Sequence, residues 1–176
     1  MTDWPPDTDR ILLDEVDSTM AEAARRAPGL RRPTWIMARH QTSGRGRRGR
    51  TWENPEGNFA ATLLLKPDCT AHQAALRSFA AANALYDTLA EVAHPADLAL
   101  KWPNDVLLQG GKVAGILLES AGTVDRLDWL AIGIGVNLMQ TPPADPEAGF
   151  PPISLKEASG ISIQPDAILD RLAPHM

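Results

Sequence analysis

Hydrophobic positions change period several times along the chain, and each change marks an element. Arg10 to Val16 carries Ile-Leu-Leu and reads as a short strand. Asp17-Ser18-Thr19 then supplies N-cap side chains, and Thr19 with Glu22 forms a capping-box pattern opening an Ala-rich helix to about Ala27. Thr34–Ala38 and Asn58–Leu65 read as a second and a third strand, the latter stopped by Lys66-Pro67. Ala71 to about Val92 is the strongest helical stretch, with an apolar stripe of Leu76, Phe79, Ala82, Leu85 and Leu89 that predicts packing on a sheet.

The second half reads mainly as strands. Asp97–Lys101 is a strand running into Trp102-Pro103-Asn104-Asp105, where proline enforces an extended or turn conformation. Val106–Gln109, Gly110-Gly111 and Lys112–Glu119 give a hairpin with Gly-Gly as the turn. That register pairs Gln109 with Lys112 and sets Asp105 and Lys112 about 13 Å apart, beyond ion-pair reach. Leu127 to Leu138 is a strand interrupted by Gly133 and Gly135; Thr141–Pro152 is a Pro-rich loop; Ser154–Gly160 and Pro165–Leu172 are short helices. Irregular alternation with a late meander predicts one α+β domain built on a mixed sheet.

Composition narrows the chemistry. With 176 residues the chain is long enough for one substantial core. A net charge of -5 and a pI near 5.3 argue against a general nucleic-acid binder. Cys69 is the only cysteine, and His40, His72, His94 and His175 are scattered, so neither a disulfide nor a cysteine zinc cluster is expected. The N-terminus is acidic and Pro-rich, and no apolar run approaches the roughly 20 residues of a membrane span. A cytoplasmic protein with no membrane partner is the expectation.

Against that acidic background stands Gly44-Arg45-Gly46-Arg47-Arg48-Gly49-Arg50, with Trp52 close behind. Guanidinium forks fit carboxylates and phosphates, and glycines let backbone N–H groups approach an anion. Taken alone, the stretch suits either a small-anion clamp or a solvated Arg-Gly loop that holds RNA. Ser18 and Thr19 are caps, and a strand-to-helix junction is also a place where a ligand meets a helix N-terminus. Two phosphate-site patterns fail. Gly110-Gly111-Lys112 has Val106 and Val113 where a phosphate loop needs Gly and Ser/Thr, and Gly133-x-Gly135 has Leu138 at the third glycine position.

Read together, these pieces resemble the biotin protein ligases (biotin–acetyl-CoA-carboxylase ligases) from about Ile11 to Gly160. The matching motifs are Asp17-Ser18-Thr19, Gln41 with the Gly/Arg loop and Trp52, Lys101–Asp105, Lys112–Ile116, Gly133–Asn137 and Ile153–Ala158. The resemblance implies a mixed, largely antiparallel sheet with helices packed on one face. It also implies activation of biotin by MgATP to biotinyl-5′-AMP, then transfer to a lysine of a biotin carboxyl carrier domain. By the same resemblance Ser18, Thr19, Met20, Gln41, Gly44, Arg45, Gly46 and Arg47 surround biotin, with Lys112 at its carboxylate and Gly115 beside it. Arg47, Arg48 and Arg50 would face phosphates, Trp52 and Asn137 adenine. Lys112, Arg47 and Asp105 would carry the chemistry, with Asn104 near nucleotide and Mg²⁺. Met20 departs from the family's usual Asn. Residues 1–176 would form a single catalytic domain, without the N-terminal helix-turn-helix of the DNA-binding members or the small C-terminal barrel; a homodimer is compatible. The other readings are a lipoate or octanoate ligase of the same fold, a biotin- or adenylate-binding protein without transfer, and the Arg-Gly RNA module.

Overall fold

The computed structural model describes residues 4–145 and 149–176; residues 1–3 of the acidic N-terminal stretch and 146–148 of the Pro-rich loop lie outside it. Its centre is a seven-stranded sheet of β1 (Asp9–Val16), β2 (Thr34–Gln41), β3 (Phe59–Leu65), β4 (Leu98–Lys101), β5 (Asp105–Leu108), β6 (Gly111–Gly122) and β7 (Leu127–Val136), in the order β1-β2-β3-β7-β6-β5-β4. Among the strands of the described residues, only β1 and β2 pair in parallel. Helix α1 (Thr19–Arg26) connects that parallel pair, as a parallel connection requires a crossover.

Alternation along the strands separates two cores. Trp35, Met37, Ala61, Leu63, Leu130 and Ile132 face the larger one. That core is closed by α2 (Ala71–Ala75), α3 (Arg77–Ala90), α4 (Leu155–Ser159) and α5 (Pro165–Leu172). Ile36, Leu64 and Ala131 face the opposite side, where they meet Met20, Ala23 and Ala27 of α1 and its C-terminal turn. Most helices thus stack on one face, and α1 covers only part of the other. The uncovered remainder of that second face is where the cleft forms.

The long helix predicted from Ala71 to Val92 is broken. Thr70 and Gln73 close a capping box around α2, and the hydrogen-bonded ladder is interrupted at Leu76 before α3 begins. Helix α3 buries Ala81, Ala82, Ala84, Leu85, Thr88 and Leu89, while Leu76 before it and Phe79 in its first turn are exposed, so only the C-terminal part of the predicted stripe packs. Small alanines let the helix approach the sheet closely, and full burial of Leu85 and Leu89 contributes about 1.5–3 kcal/mol each.

The hairpin register also differs. Its turn is Gln109-Gly110, both at positive φ (50° and 82°), with Leu108 opposite Gly111. Gly111 belongs to the strand because Ile153 approaches it: a Cβ there would fall 2.8 Å from the isoleucine side chain. A bulge between Val106 and Leu107 follows, so Leu107 faces Lys112 while Asp105 faces Gly115. With Lys112 opposite Leu107, two residues from Asp105 on the same face, the turn shift shortens their separation, and the extra residue brings Gly115 onto that face as well. The separation of about 13 Å expected between Asp105 and Lys112 is therefore wrong. Lys112 Nζ lies 2.8 Å from Asp105 Oδ1.

Candidate active site

A cleft of about 980 Å³ opens on the face that α1 leaves bare. Its floor is β6 and β7, where Gly115, Gly133 and Gly135 have no side chains to obstruct it. Each absence is used. Met20 Cγ would lie 3.0 Å from a Cβ at Gly133, and Trp52 Cζ2 and Nε1 would lie 2.5 Å from one at Gly135. Met20 is buried (3 % exposed) at the position where the resemblance calls for a polar Asn, so that wall of the cleft is a thioether.

One end of the cleft is a fixed polar corner. Ser18 is the N-cap of α1 and accepts a hydrogen bond from Met20 N (3.2 Å). Thr19 starts the helix, and Glu22 pairs with Arg25 and Arg26, so the predicted Thr19–Glu22 box does not form. Thr19 donates from N and Oγ1 to Gln41 Oε1 (2.9 and 3.1 Å), while Thr62 Oγ1 donates to Thr19 Oγ1 (2.8 Å). With its carbonyl pinned, Gln41 turns its Nε2 donors the other way, and among the described residues they have no hydrogen-bond partner. Behind this corner Arg25 forks onto Asp17, whose Oδ1 also accepts from Ser18 N. Those bonds hold the Asp17 carboxyl far below the usual carboxylate range.

The opposite end is cationic. Gly44–Trp52 is a tight hairpin, closed by Trp52 N to Gly44 O (2.9 Å) and Gly46 N to Arg50 O (2.8 Å), with Arg48 at φ 58° at its tip. Gly44 is required where Trp52 O crosses it. Arg45 pairs with Glu119 (3.3 Å), Arg47 donates to Asn104 Oδ1 (2.7 Å), and Arg50 lies 3.6 Å from Asp145; Arg48 is exposed. Beneath the hairpin, Lys112 Nζ sits 5.8 Å from the Trp52 ring centre and above Gly115. The Asp105–Lys112 contact is an ion pair without hydrogen-bond alignment, which leaves a buried carboxylate oxygen with no directed donor.

All the residues predicted for the site come together here except Gly44, which shapes the hairpin from behind. Asn137 borders the cleft, ties Lys112 O and Ile153 O together through Nδ2, and buries Oδ1 without a partner. Sequence reasoning missed Glu119, Thr62 and the second rim, where Pro142, Pro143, Asp145, Phe150 and Pro152 line the cleft. Glu119 is legible as a charge on the inward parity of a buried strand, whereas a Pro-rich segment carries no periodicity to read.

The Mg²⁺ assignment to Asn104 does not fit this arrangement. Its Oδ1 already receives a guanidinium, its Nδ2 donates to Ile116 O (2.8 Å), and the described residues contain no cluster of three His, Cys, Asp or Glu side chains. Among them, too, no helix is long and apolar enough to cross a membrane.

Residues 12–137 match the Biotin/lipoate A/B protein ligase family. The chain is 53% identical over 167 residues to a biotin–[acetyl-CoA-carboxylase] ligase of Paracoccus denitrificans, covering 93% of this chain and 69% of that protein. Among solved structures it resembles a biotin protein ligase of Leishmania major in complex with biotinyl-5-AMP (TM-score 0.80, 27% identity, 97% of this chain and 73% of the other). It also resembles the Aquifex aeolicus ligase in complex with biotin and ATP (TM-score 0.76, 30% identity, 95% and 68%).

Proposed function

This chain belongs to the biotin/lipoate A/B protein ligase family, and from that premise we propose that it makes biotinyl-5′-AMP from biotin and ATP and passes the biotinyl group to a lysine of a biotin carboxyl carrier domain. Residues 1–176 act as the catalytic domain, working in the cytoplasm where nucleotide and carrier meet. The observation that carries the reading is the polarity of the cleft: fixed amide donors at one end, cations at the other, a glycine floor between.

A ureido carbonyl accepts what Gln41 Nε2 offers, with Ser18 and Thr19 beside it and Met20 against the apolar part of the ring system. Lipoate and octanoate carry no polar group at that end, so the unpaired Gln41 amide favours biotin over them. Biotin's chain then runs along the floor past Gly115 and brings its carboxylate to Lys112, with Arg45 and Gly46 of the hairpin above. A carboxylate oxygen attacks the α-phosphorus of ATP, and the bond to pyrophosphate breaks. Two anions must approach, and Lys112 with Arg47, Arg48 and Arg50 offsets their repulsion. Adenine is held by Trp52 and by the vacant acceptor Asn137 Oδ1, which suits its exocyclic amine.

In the second step a carrier lysine attacks the acyl carbonyl, the N–C bond forms, and AMP leaves with the C–O electrons. Asp105 takes the amine's proton, with the Lys112 ammonium beside its Oδ1 holding it in place. The carrier docks on the exposed apolar edge beside the mouth: Leu76, Phe79, Leu100 and Trp102, where Phe79 and Trp102 stack at 6.3 Å. Trp102 and Lys101 belong to both that edge and the cleft, so a protein seated there has its lysine at the opening.

Purified protein given biotin and MgATP should release pyrophosphate and label a carrier domain. Pyrophosphate release with octanoate or lipoate but not biotin would overturn the substrate assignment. Binding of RNA without any adenylate formation would overturn the enzyme.

A further inference from the structure

Asn104 stands between Pro103 and the start of β5, and it makes three hydrogen bonds in two directions. Its backbone O accepts from Ile116 N (2.8 Å) and its Nδ2 donates to Ile116 O (2.8 Å), so β6 holds it at two points. Those bonds fix the amide. If the side chain were flipped, two carbonyl oxygens would oppose each other and an NH₂ group would oppose a guanidinium. The atom facing the hairpin is therefore an acceptor, and it takes Arg47 Nη1 at 2.7 Å.

A magnesium ion demands oxygen ligands at about 2.0–2.1 Å in near-octahedral geometry. With a guanidinium already on the same oxygen, a dication has neither room nor favourable charge. The neighbouring carboxylate is no freer, because Asp105 faces the Lys112 ammonium.

We infer that Asn104 is a positioning residue for Arg47: it seats the tip of the Gly/Arg hairpin on β6, the strand that also carries Lys112, and it is not a metal ligand. Held by Asn104, the Arg47 guanidinium stands over the cleft directly beside the Asp105–Lys112 pair. The inference rests on the adenylate-forming reading above.

The test is a double-mutant cycle read by the dissociation rate of biotinyl-adenylate from the protein, with the Mg²⁺ midpoint of pyrophosphate release measured alongside. Asn104→Ala should release adenylate about tenfold faster, the scale of one hydrogen bond to a charged group in a wet site. Arg47→Ala should do the same, and the double variant should be no faster than Arg47→Ala alone. The Mg²⁺ midpoint should stay at the parent value in Asn104→Ala. Asn104→Asp keeps an acceptor for Arg47 but sets an oxygen against Ile116 O, so it should retain adenylate better than Asn104→Ala though not as well as the parent, which keeps the test open if the alanine variant folds poorly. Additive effects, or a Mg²⁺ midpoint that weakens in Asn104→Ala and tightens in Asn104→Asp, would overturn the inference. A parent protein that forms no adenylate would instead overturn the reading beneath it.

Discussion

Trp52 lies against Gly135 so closely that no other residue fits there: a Cβ on residue 135 would come within 2.5 Å of the indole. The indole is held by the floor of the cleft and not by the hydrophobic core. Trp52→Ala should therefore weaken ATP and adenylate binding by about 1–3 kcal/mol, the worth of one base–aromatic stack. Thermal stability should change far less than in Leu85→Ala, where a fully buried side chain is lost at about 2–5 kcal/mol. Calorimetric titration and melting curves separate the two. A core-sized drop in Tm with unchanged nucleotide binding would make Trp52 structural.

Lys112→Ala should slow biotin-dependent pyrophosphate release by about a hundred- to thousand-fold, the usual cost of removing one donor from a charge-stabilising site. Lys112→Arg should recover part of that, since a planar fork cannot take the place of a compact ammonium above Gly115. Asp105→Asn should act later. Adenylate should still form, while transfer to carrier lysine falls, because the amine has lost its proton acceptor. Equal losses in both half-reactions would place Asp105 in the first step.

The apolar edge can be tested without touching the cleft. Phe79→Ser and Leu76→Ser, neither of which lines it, should lower kcat/KM for the carrier domain about tenfold while adenylate formation and aminolysis by hydroxylamine stay at parent rates. Val124→Ser, a still more exposed apolar position elsewhere, should do nothing. If the edge variants leave carrier transfer unchanged but abolish self-association in sedimentation, the occupant of that edge is a second copy.

Acid should weaken the fold through three carboxylates held below their ordinary range: Asp17 and Glu22 chiefly by Arg25, and Glu91 chiefly by His175 with Arg171. Each has a folded pKa below its unfolded one, so its contribution is complete above the unfolded value, about 4 for a carboxylate. It fades as pH falls through the lower folded value. Tm should be flat from neutrality to about pH 5 and fall below about pH 4. Arg25→Ala should make that acid limb shallower, because Asp17 and Glu22 lose the largest cause of their lowering and keep mainly Ser18 N and Arg26 respectively. A limb unchanged by Arg25→Ala would assign the acid sensitivity elsewhere.

Much of this architecture is legible in the residues, and the failures have identifiable causes. The strands and α1 follow from periodicity, and Ser18, Thr19 and Gln41 meet because β1 and β2 run in parallel and end side by side. The Lys112–Asp105 pair is hidden in the sequence because Gly110-Gly111 looks like a complete turn. Only Ile153, some forty residues on, reveals that Gly111 is a strand residue making room for a neighbour. The exposure of Phe79 is not legible in the stripe either, since its ring meets Trp102 at the edge of the molecule and not the sheet. Asn104 reads as an ordinary turn residue until β6 and the hairpin are both in place.

The strand order divides the sheet into two groups, β1-β2-β3 and β7-β6-β5-β4, whose strands, among the described residues, pair with each other only where β3 meets β7. Thr62 pairs with Gly133 across that seam, a far longer loop closure than any other pairing in the sheet. Ser18, Gln41 and the Gly/Arg hairpin belong to the first group; Asp105, Lys112 and Asn137 belong to the second. Neither group alone contains both ends of the cleft. On the ribosome, the first group and its arginines emerge well before their counterparts, and long-range pairing of this kind is slow to form. A chain still waiting to close the seam cannot bring carboxylate, phosphate and ammonium together, so the reactive anhydride is made only by molecules whose folding is complete.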